Sequence, residues 1–225
     1  MSGLLLRRRQ MMMQAPKEDY IKNGLIFQLD GYDAANSSWV DRIGSREFTL
    51  TDCTVDSNHG VVFNGTSSQA VNYSQPFAGA TIEAAIKLNS SPLNKWHPIF
   101  GQLSKRGEEN IILYLTNDYR LATRATDSSA TQRYYAYQQI MALSAYQDGS
   151  DARVNGDATT ASSSNLAPYN YADGLILIGR RTLTGSTRLN GVIYAIRIYD
   201  RKLTVDEMLH NQRLDNKRFN LGLTI

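Results

Sequence analysis

The chain has 225 residues, of which 42% are hydrophobic and 20% are charged, a composition typical of one globular domain with a sizeable core. No apolar run approaches the ~18 residues of a membrane helix, so the sequence predicts no membrane span. The net charge of +3 is matched by three arginines at positions 7–9, which leaves the body of the chain nearly neutral and argues against a nucleic-acid-binding protein.

Residues 1–20 form a unit of their own. The arginines divide two short apolar triplets, so the segment lacks the continuous apolar core of a secretion signal, and we expect a protein made in the cytoplasm without export. The segment is either a disordered leader or an arm that docks into a partner or a second copy, with contact to a membrane surface or nucleic acid as a weaker alternative. The residues of this predicted assembly arm are Leu4, Leu5, Leu6, Arg7, Arg8, Arg9, Met11, Met12 and Met13.

The first half of the body predicts a series of short strands. Residues 25–29 alternate and end at the turn signal Asp30-Gly31, and a polar loop follows in which Trp39 is expected to pack beneath the chain. Further strands are predicted at residues 46–51, 60–63, 69–73, 81–88 and 96–103, and residues 110–116 and 119–126 should form a hairpin. Strands of this length and spacing are typical of a β-sandwich.

The second half continues the pattern with less regularity. Residues 126–131 predict a loop and residues 134–146 one long strand, followed by a meander through the turns Asp148-Gly149 and Asn155-Gly156. Residues 157–173 predict a surface loop before a strand at 174–179.

Residues 192–199 form the clearest strand of the chain. Both alternating sets are largely apolar, so the strand should be central in a sheet and covered on both faces. Thr204 and Glu207 then make a capping box that predicts the start of a short helix. The two sets are Val192, Tyr194, Ile196 and Ile198 on one face, and Ile193, Ala195, Arg197 and Tyr199 on the other.

Five segments together resemble one family. The stretch LNGVIYAIRIYDRKLTVDEMLHN (189–211) resembles the closing signature of laminin-G-like, concanavalin A-like jelly-roll domains. GLIFQLDG (24–31), VVFNGTSSQAVNY (61–73), TIEAAIKL (81–88) and ALSAYQDGSDARVNG (142–156) match further elements in the family's order. The resemblance implies an all-β, two-sheet antiparallel sandwich with a short C-terminal helix. The matching elements cover about residues 24–212, and the predicted domain comprises residues 21–213. It lies between the arm (1–20) and a tail (214–225) whose apolar residues could fold back on the sandwich.

The residues predict no catalytic site. Laminarinase-type hydrolases of this broad fold place carboxylates on one face of a strand, whereas Glu83 stands alone on residues 81–88. His59, His97 and His210 have no motif-like partners, and a lone Cys53 excludes both an intrachain disulfide and a familiar zinc site. Cys53 is expected to be a small buried hydrophobe in a protein that folds in a reducing compartment.

Calcium is the one metal that the sequence suggests, and no cofactor is required. Lectin-like sandwiches often hold Ca²⁺ through oxygen atoms of loops, and four such side chains lie in one predicted loop region. The alternative is a turn rich in Asp and Asn with no metal. The candidate ligands are Asp30, Asp33, Asn36 and Asp41.

Aromatic and arginine side chains near loops predict a glycan-binding surface. Flat aromatic faces stack on pyranose rings, and arginines, including Arg188, could meet acidic glycans. The alternative is that these tyrosines are ordinary strand residues. The predicted ligand-binding residues are Trp96, Tyr134, Tyr135, Tyr137, Tyr169, Tyr171, Arg180 and Arg181.

Together these features predict a non-catalytic carbohydrate-binding or adhesion module. The apolar-basic arm without an export signal resembles that of bacteriophage virion proteins, which implies display on a head or tail through the arm. The alternatives are a structural decoration protein that binds only protein and, third, a glycoside hydrolase.

Overall fold

In the computed structural model of the protein, the described residues form two antiparallel sheets and one long helix. These residues are 19–35, 37–73, 79–89, 96–104, 109–116, 120–126, 129–135, 138–146, 150–161, 174–181, 183 and 185–225. Among them, no helix combines the length and the apolar character that a membrane crossing needs.

The smaller sheet has the order β14-β13-β12-β7-β17-β5-β4, and β1 pairs with β17 beside β5. The long strand β17 is central, as predicted, because β7 occupies one edge and β5 and β1 share the other. The strands of this sheet are β1 (Leu25–Asp30), β4 (Thr54–Val55), β5 (Val61–Asn64), β7 (Thr81–Leu88), β12 (Ile140–Tyr146), β13 (Ala152–Val154), β14 (Asp157–Ala158) and β17 (Asn190–Tyr199).

The larger sheet has the order β15-β11-β10-β9-β8-β16-β6-β3-β2. The predicted hairpin is confirmed, because β10 pairs with β9. The strands of this sheet are β2 (Ser38–Val40), β3 (Glu47–Thr51), β6 (Gln69–Asn72), β8 (His97–Ser104), β9 (Glu109–Leu115), β10 (Arg120–Thr126), β11 (Ser129–Tyr134), β15 (Thr160–Ala161) and β16 (Gly174–Ile178).

The core fills the space between the two sheets. Phe27 makes edge-to-face contacts with Phe48 and Phe100 there, with ring centroids 5.8 and 5.6 Å apart. Trp39 is fully buried and donates its indole N–H to the carbonyl of Asp30 at 2.8 Å, so the predicted packing beneath the loop is confirmed. Cys53 is buried as predicted, and burial raises the pKa of its thiol to about 11.

One predicted strand is in fact two. The prediction of a single strand over residues 134–146 was wrong, because β11 belongs to the larger sheet and β12 to the smaller one. The chain therefore passes from the larger to the smaller sheet after Tyr134, where β11 ends, and before Ile140, where β12 begins. β11 begins at Ser129, inside the predicted loop, because the pairing that makes it a strand comes from β10 rather than from its own polar sequence.

The faces of β17 also differ from the strict alternation. The register shifts between Ile193 and Ala195, so the strand bulges at Tyr194 and the parity of its faces is reversed. Ile193 and Ile196 consequently both enter the core, whereas Tyr194 and Ala195 both join the apolar cluster on the opposite face.

Helix α1 (Val205–Phe219) covers that outer face of the smaller sheet. Its predicted capping box is confirmed: Glu207 N–H bonds the hydroxyl of Thr204, and the Glu207 carboxylate accepts from Thr204 N–H. The helix is longer than predicted, so the predicted start of the tail at residue 214 lies inside it. Phe219 and Leu221 pack on Val192 and Tyr194, which confirms that the end of the chain returns to the sandwich.

Candidate functional site

The structure separates the predicted ligand-binding residues into two places. Tyr135 lines a pocket between the two sheets, whereas Trp96, Arg180 and Arg181 lie at the start of β8 and just after β16. Tyr134 is described through its backbone, which pairs with Arg120 and Thr160. Three predicted residues lie outside the described part of the chain: Tyr137, Tyr169 and Tyr171.

The pocket beside Tyr135 has a volume of about 320 Å³. It lies where the chain passes twice between the sheets, from β11 to β12 and from β14 to β15. It combines one aromatic ring with an amide, a carboxylate and hydroxyl groups, while Tyr135 also packs against the core. We call this the Tyr135 pocket; it is lined by Tyr135, Gln138, Val154, Asp157, Ala158, Thr159 and Thr160.

A tight turn shapes one wall of the Tyr135 pocket. Asn155 and Gly156 both have positive φ, 52° and 89°, as an Asn-Gly hairpin turn requires. The side chain of Asn155 accepts from Ala142 N–H at 2.7 Å and donates to the side-chain carbonyl of Gln138. The turn therefore fixes the side chain of Gln138, which lines the pocket. It also connects β13 to β14, which carries Asp157.

Arg133 fixes the position of Thr159, one of the residues that line the pocket. Its Nε donates to the hydroxyl of Thr159 at 2.7 Å, and its Nη2 donates to the carbonyl of the same residue at 3.1 Å. Nη1 bonds the carbonyl of Ser150 at 3.2 Å, and Asp151 lies 3.8 Å from Nη2. These contacts fix the crossing between β14 and β15, so the pocket wall is preorganised.

The indole of Trp96 is already stacked on protein groups. Tyr114 lies parallel to it, with centroids 5.2 Å apart and planes inclined by 19°, and the guanidinium of Arg181 lies 4.8 Å from the Trp96 ring centre. Trp96 is half-buried as a result. Its role as an open platform for a pyranose ring stays a prediction, and these contacts weigh against it.

Arg180 and Arg188 form an unusual pair. Their backbones are joined by an antiparallel bridge, and Arg180 is only 5% exposed. Arg180 donates to the side-chain carbonyl of Gln69 and to the carbonyl of Leu183, and Arg188 donates to the carbonyl of Gly185 at 2.8 Å. Burial and the neighbouring charge of Arg188 lower the pKa of Arg180. Both Nε–H groups are buried without an acceptor among the described residues.

The residues predicted to bind calcium have other partners in the structure. One oxygen of Asp30 lies 3.0 Å from Arg42 and 2.9 Å from Arg218, and Asp33 also binds Arg42. Asp41 accepts the N–H groups of Gln28, Ile43 and Gly44 and binds Arg46 at 2.6 Å.

Arginine and amide donors contact these oxygens, which weighs against a metal ion among them. In the part of the chain that the structure describes, no group of three His, Cys, Asp or Glu side chains is placed to hold a metal ion. Asn36 lies outside that part, and calcium binding stays a prediction.

A buried charge network beneath α1 was not predicted. Arg197 on β17 binds Asp215 of the helix through both terminal nitrogens, at 2.8 and 2.5 Å, and binds Glu83 of β7 through Nε at 3.0 Å. All three side chains are at most 1% exposed. Burial alone would lower the pKa of Arg197, but Asp215 and Glu83 raise it well above its ordinary value. Burial raises the pKa of Glu83.

The network also joins the segment at Tyr20 and Ile21 to α1. Tyr20 donates its hydroxyl to Asp215 at 2.9 Å, and the guanidinium of Arg197 lies 4.1 Å from the centre of the Tyr20 ring. Ile21 N–H donates to Asn211 on α1 at 3.0 Å. The sequence signals for this site were two charged residues, Glu83 and Arg197, each within a largely apolar predicted strand.

Comparison with known proteins agrees with this architecture. The model of the family described as the Concanavalin A-like lectin/glucanases superfamily (Laminin_G_3) matches residues 57–208. The chain belongs to this superfamily. No curated protein is significantly similar to it.

Solved structures share the lectin-like sandwich. Trypanosoma rangeli sialidase in complex with sialic acid superposes with a TM-score of 0.65 at 15% identity, covering 87% of this chain and 33% of the sialidase chain. A mutant of HCR/D gives a TM-score of 0.63 at 11% identity, covering 84% of this chain and 52% of that one. The chain therefore spans a third to a half of the length of these structures, and at such identities the likeness concerns the fold.

Proposed function

We propose that this superfamily member is a non-catalytic carbohydrate-binding or adhesion module whose glycan site is the Tyr135 pocket. The observation that carries the proposal is the pocket itself, about 320 Å³ lined by one aromatic ring, an amide, a carboxylate and hydroxyl groups. A tyrosine ring offers an apolar face for the C–H groups of a sugar, while planar polar groups bind its hydroxyls.

Each lining group has a distinct role in this proposal. The Tyr135 ring contacts the apolar face of the sugar, and the Asp157 carboxylate accepts hydrogen bonds from two neighbouring hydroxyls. Gln138 and Thr160 can both donate and accept, so they read the remaining hydroxyls. The T. rangeli sialidase, of which this chain matches 33%, was solved with sialic acid, a ligand of that protein.

The non-catalytic part of the proposal rests on the positions of the carboxylates. Glu83 and Asp215 are buried between the smaller sheet and α1 and both bind Arg197, so a glycosidic bond does not reach them. Asp157 is the carboxylate of the Tyr135 pocket, whereas glycoside hydrolysis by the usual mechanism needs two carboxyl groups across the scissile bond.

The test is glycan-array binding by the full chain, followed by titration of the best glycan with variants. Asp157→Asn weakens binding about tenfold, because a hydrogen bond to a charged acceptor contributes about 1.5 to 3 kcal/mol. Tyr135→Leu keeps an apolar side chain against the core, removes the flat ring and weakens binding at least as much. Glu47→Gln changes an exposed carboxylate on β3, far from the pocket, and should leave affinity unchanged.

Two outcomes of the array and the titrations would contradict the proposal. The proposal fails if no glycan binds, and the pocket assignment fails if a bound glycan is insensitive to both pocket variants. Release of a reducing sugar from the bound glycan over hours would contradict the non-catalytic role.

Display on a bacteriophage virion through residues 1–20 is the finer part of the same proposal. It rests on the apolar-basic sequence of the arm and on the firm attachment of Tyr20 and Ile21 to α1, which gives the arm a fixed starting point. Light scattering should show an oligomeric full-length chain and a monomer when residues 1–18 are removed. Two monomers of equal stability would remove the assembly role, and oligomers without glycan binding would favour the decoration protein.

A further inference from the structure

Arg180 and Arg188 face each other across a backbone bridge, and neither has an acidic partner among the described residues. Half-buried Arg153 also lacks one, but its strand neighbours are Ser144 and Ala158 rather than a second arginine. The acidic side chains that bind arginine elsewhere lie within 4 Å of the guanidinium groups. Arginines with such a partner are Arg42, Arg46, Arg133, Arg197, Arg201 and Arg218.

The backbone holds the two side chains together despite their like charges. Residues joined by an antiparallel bridge project side chains on the same face, where like charges directly opposite each other destabilise the pair. The two buried Nε–H groups add to this cost, because a buried donor without an acceptor loses its hydrogen bonds to water and gains none within the protein. The bridge therefore holds together two like charges that no acidic side chain among the described residues neutralises.

We propose that Arg180 and Arg188 bind one oxyanion group, a carboxylate or a sulfate, between their guanidinium groups. The guanidinium fork matches such planar or tetrahedral oxyanions with two parallel hydrogen bonds. A bound anion accepts from both Nε–H groups and neutralises the repulsion between the arginines. Arg188 is only half-buried, so the site opens toward solvent on its side.

This anion site is distinct from the Tyr135 pocket. In the larger sheet β10, β9 and β8 separate β11 from β16, which places the two sites about 19 Å apart at ~4.8 Å per strand. It therefore goes beyond the proposed pocket and would hold whether or not that pocket binds a glycan.

A nearby tyrosine favours an anion carried by a sugar over a free ion. Tyr73 directly follows β6, is 77% exposed and interacts electrostatically with Arg180. An acidic sugar could place its anionic group on the arginines and its ring on Tyr73. The shared chemistry of both sources is the oxyanion itself.

The experiment is an NMR titration of the arginine Nε–H signals of the full chain with sodium sulfate and sodium acetate, at constant ionic strength set with sodium chloride. Saturable shifts of the Arg180 and Arg188 signals with sulfate or acetate are expected. Arg188→Gln should weaken binding at least tenfold, and Arg188→Lys should also weaken it because the fork is lost. Arg213→Gln removes an exposed arginine on α1 and should change affinity less than twofold.

A second arm distinguishes the source of the anion. Galactose 6-sulfate should bind more tightly than inorganic sulfate, and Tyr73→Ala should abolish that advantage without weakening sulfate itself. Equal affinities would identify a free-ion site instead of a sugar site. The anion site would be overturned if the shifts increased linearly, without saturation, with sulfate, acetate and galactose 6-sulfate. It would also be overturned if Arg188→Gln left the shifts unchanged. Tyr135→Leu should leave the sulfate titration unaltered, so failure of one site does not imply failure of the other.

Discussion

Two sets of buried or half-buried arginines in this molecule have opposite electrostatic surroundings. Arg197, beneath α1, has two carboxylates and no access to solvent. Arg180 and Arg188, beside β16, have each other, a few carbonyl groups and two unsatisfied Nε–H groups. All three guanidinium nitrogens of Arg197 bind carboxylates, which makes this residue a structural tie. The buried Nε–H groups of Arg180 and Arg188 have no acceptor among the described residues and are available for the proposed ligand.

The two sets of arginines also contribute differently to the stability of the fold. The Arg197 network joins β7, β17, α1 and the segment at Tyr20, so elements distant in sequence depend on one charge. The Arg180 pair lies in a bridge between two loop segments and contributes repulsion in the absence of a ligand. Substitutions that remove one arginine from each place should therefore have very different effects on folding.

The largest effect is expected for Arg197→Met. This change leaves Glu83 and Asp215 buried without their cation, which lowers the free energy of unfolding by about 3 to 5 kcal/mol. Urea denaturation followed by circular dichroism measures the loss.

The matched control is Arg213→Met on the exposed side of α1, which should change stability by less than about 0.5 kcal/mol. Adding Asp215→Asn to Arg197→Met should recover part of the loss. If Arg197→Met and Arg213→Met were equally stable, the network around Arg197 would not be a structural tie.

An intermediate effect is expected where an arginine has a partner but remains near solvent. Arg201 binds Glu207 at the start of α1 through two bonds of 2.9 and 2.6 Å, and this contact lowers the pKa of Glu207 to about 2. Glu207→Gln should destabilise the protein by about 1 kcal/mol at neutral pH, because solvent screens the pair and half of the capping box is weakened.

The pH dependence of Glu207→Gln follows from the direction of the pKa shift. A carboxyl whose pKa is lower in the folded than in the unfolded state stabilises the fold above the unfolded value of about 4.3. That contribution is lost as the pH falls toward about 2. Urea denaturation at pH 7, 5 and 3 should show the gap between wild type and variant narrowing, and a constant gap would contradict the assignment.

The smallest effect on folding is expected for Arg188→Met. In sulfate-free buffer its unfolding free energy should stay within about 0.5 kcal/mol of the wild type or rise slightly, because a repulsive charge is removed. Thermal unfolding in sodium chloride measures this. A loss comparable to that of Arg197→Met would mean that the pair is a structural element, and the comparison between the two sets would collapse.

The strands whose own sequences are strongly patterned were predictable, and those made by their neighbours were not. The hairpin of β9 and β10 and the central place of β17 follow from local alternation and turn residues. β11 carries polar residues and is a strand because β10 pairs with it, and the bulge at Tyr194 depends on the pairing of β17 with β7. Likewise, Tyr135 was a candidate from composition, but Gln138, Asp157 and Thr160 join it only through the crossings between sheets.

The sequence by itself determined the superfamily, the sandwich and the capped start of α1, because motif order, period-2 patterns and a capping box are local properties of the chain. The tertiary structure alone decided which charges are satisfied. Asp30, Asp33 and Asp41 were equally plausible calcium ligands until the fold brought Arg42, Arg218 and Arg46 to them. Arg180 and Arg188 became a candidate site because, among the described residues, the fold places no carboxylate beside their guanidinium groups. Partners distant in sequence, such as Arg197 and Glu83, are set by strand register and helix docking, which no local pattern encodes.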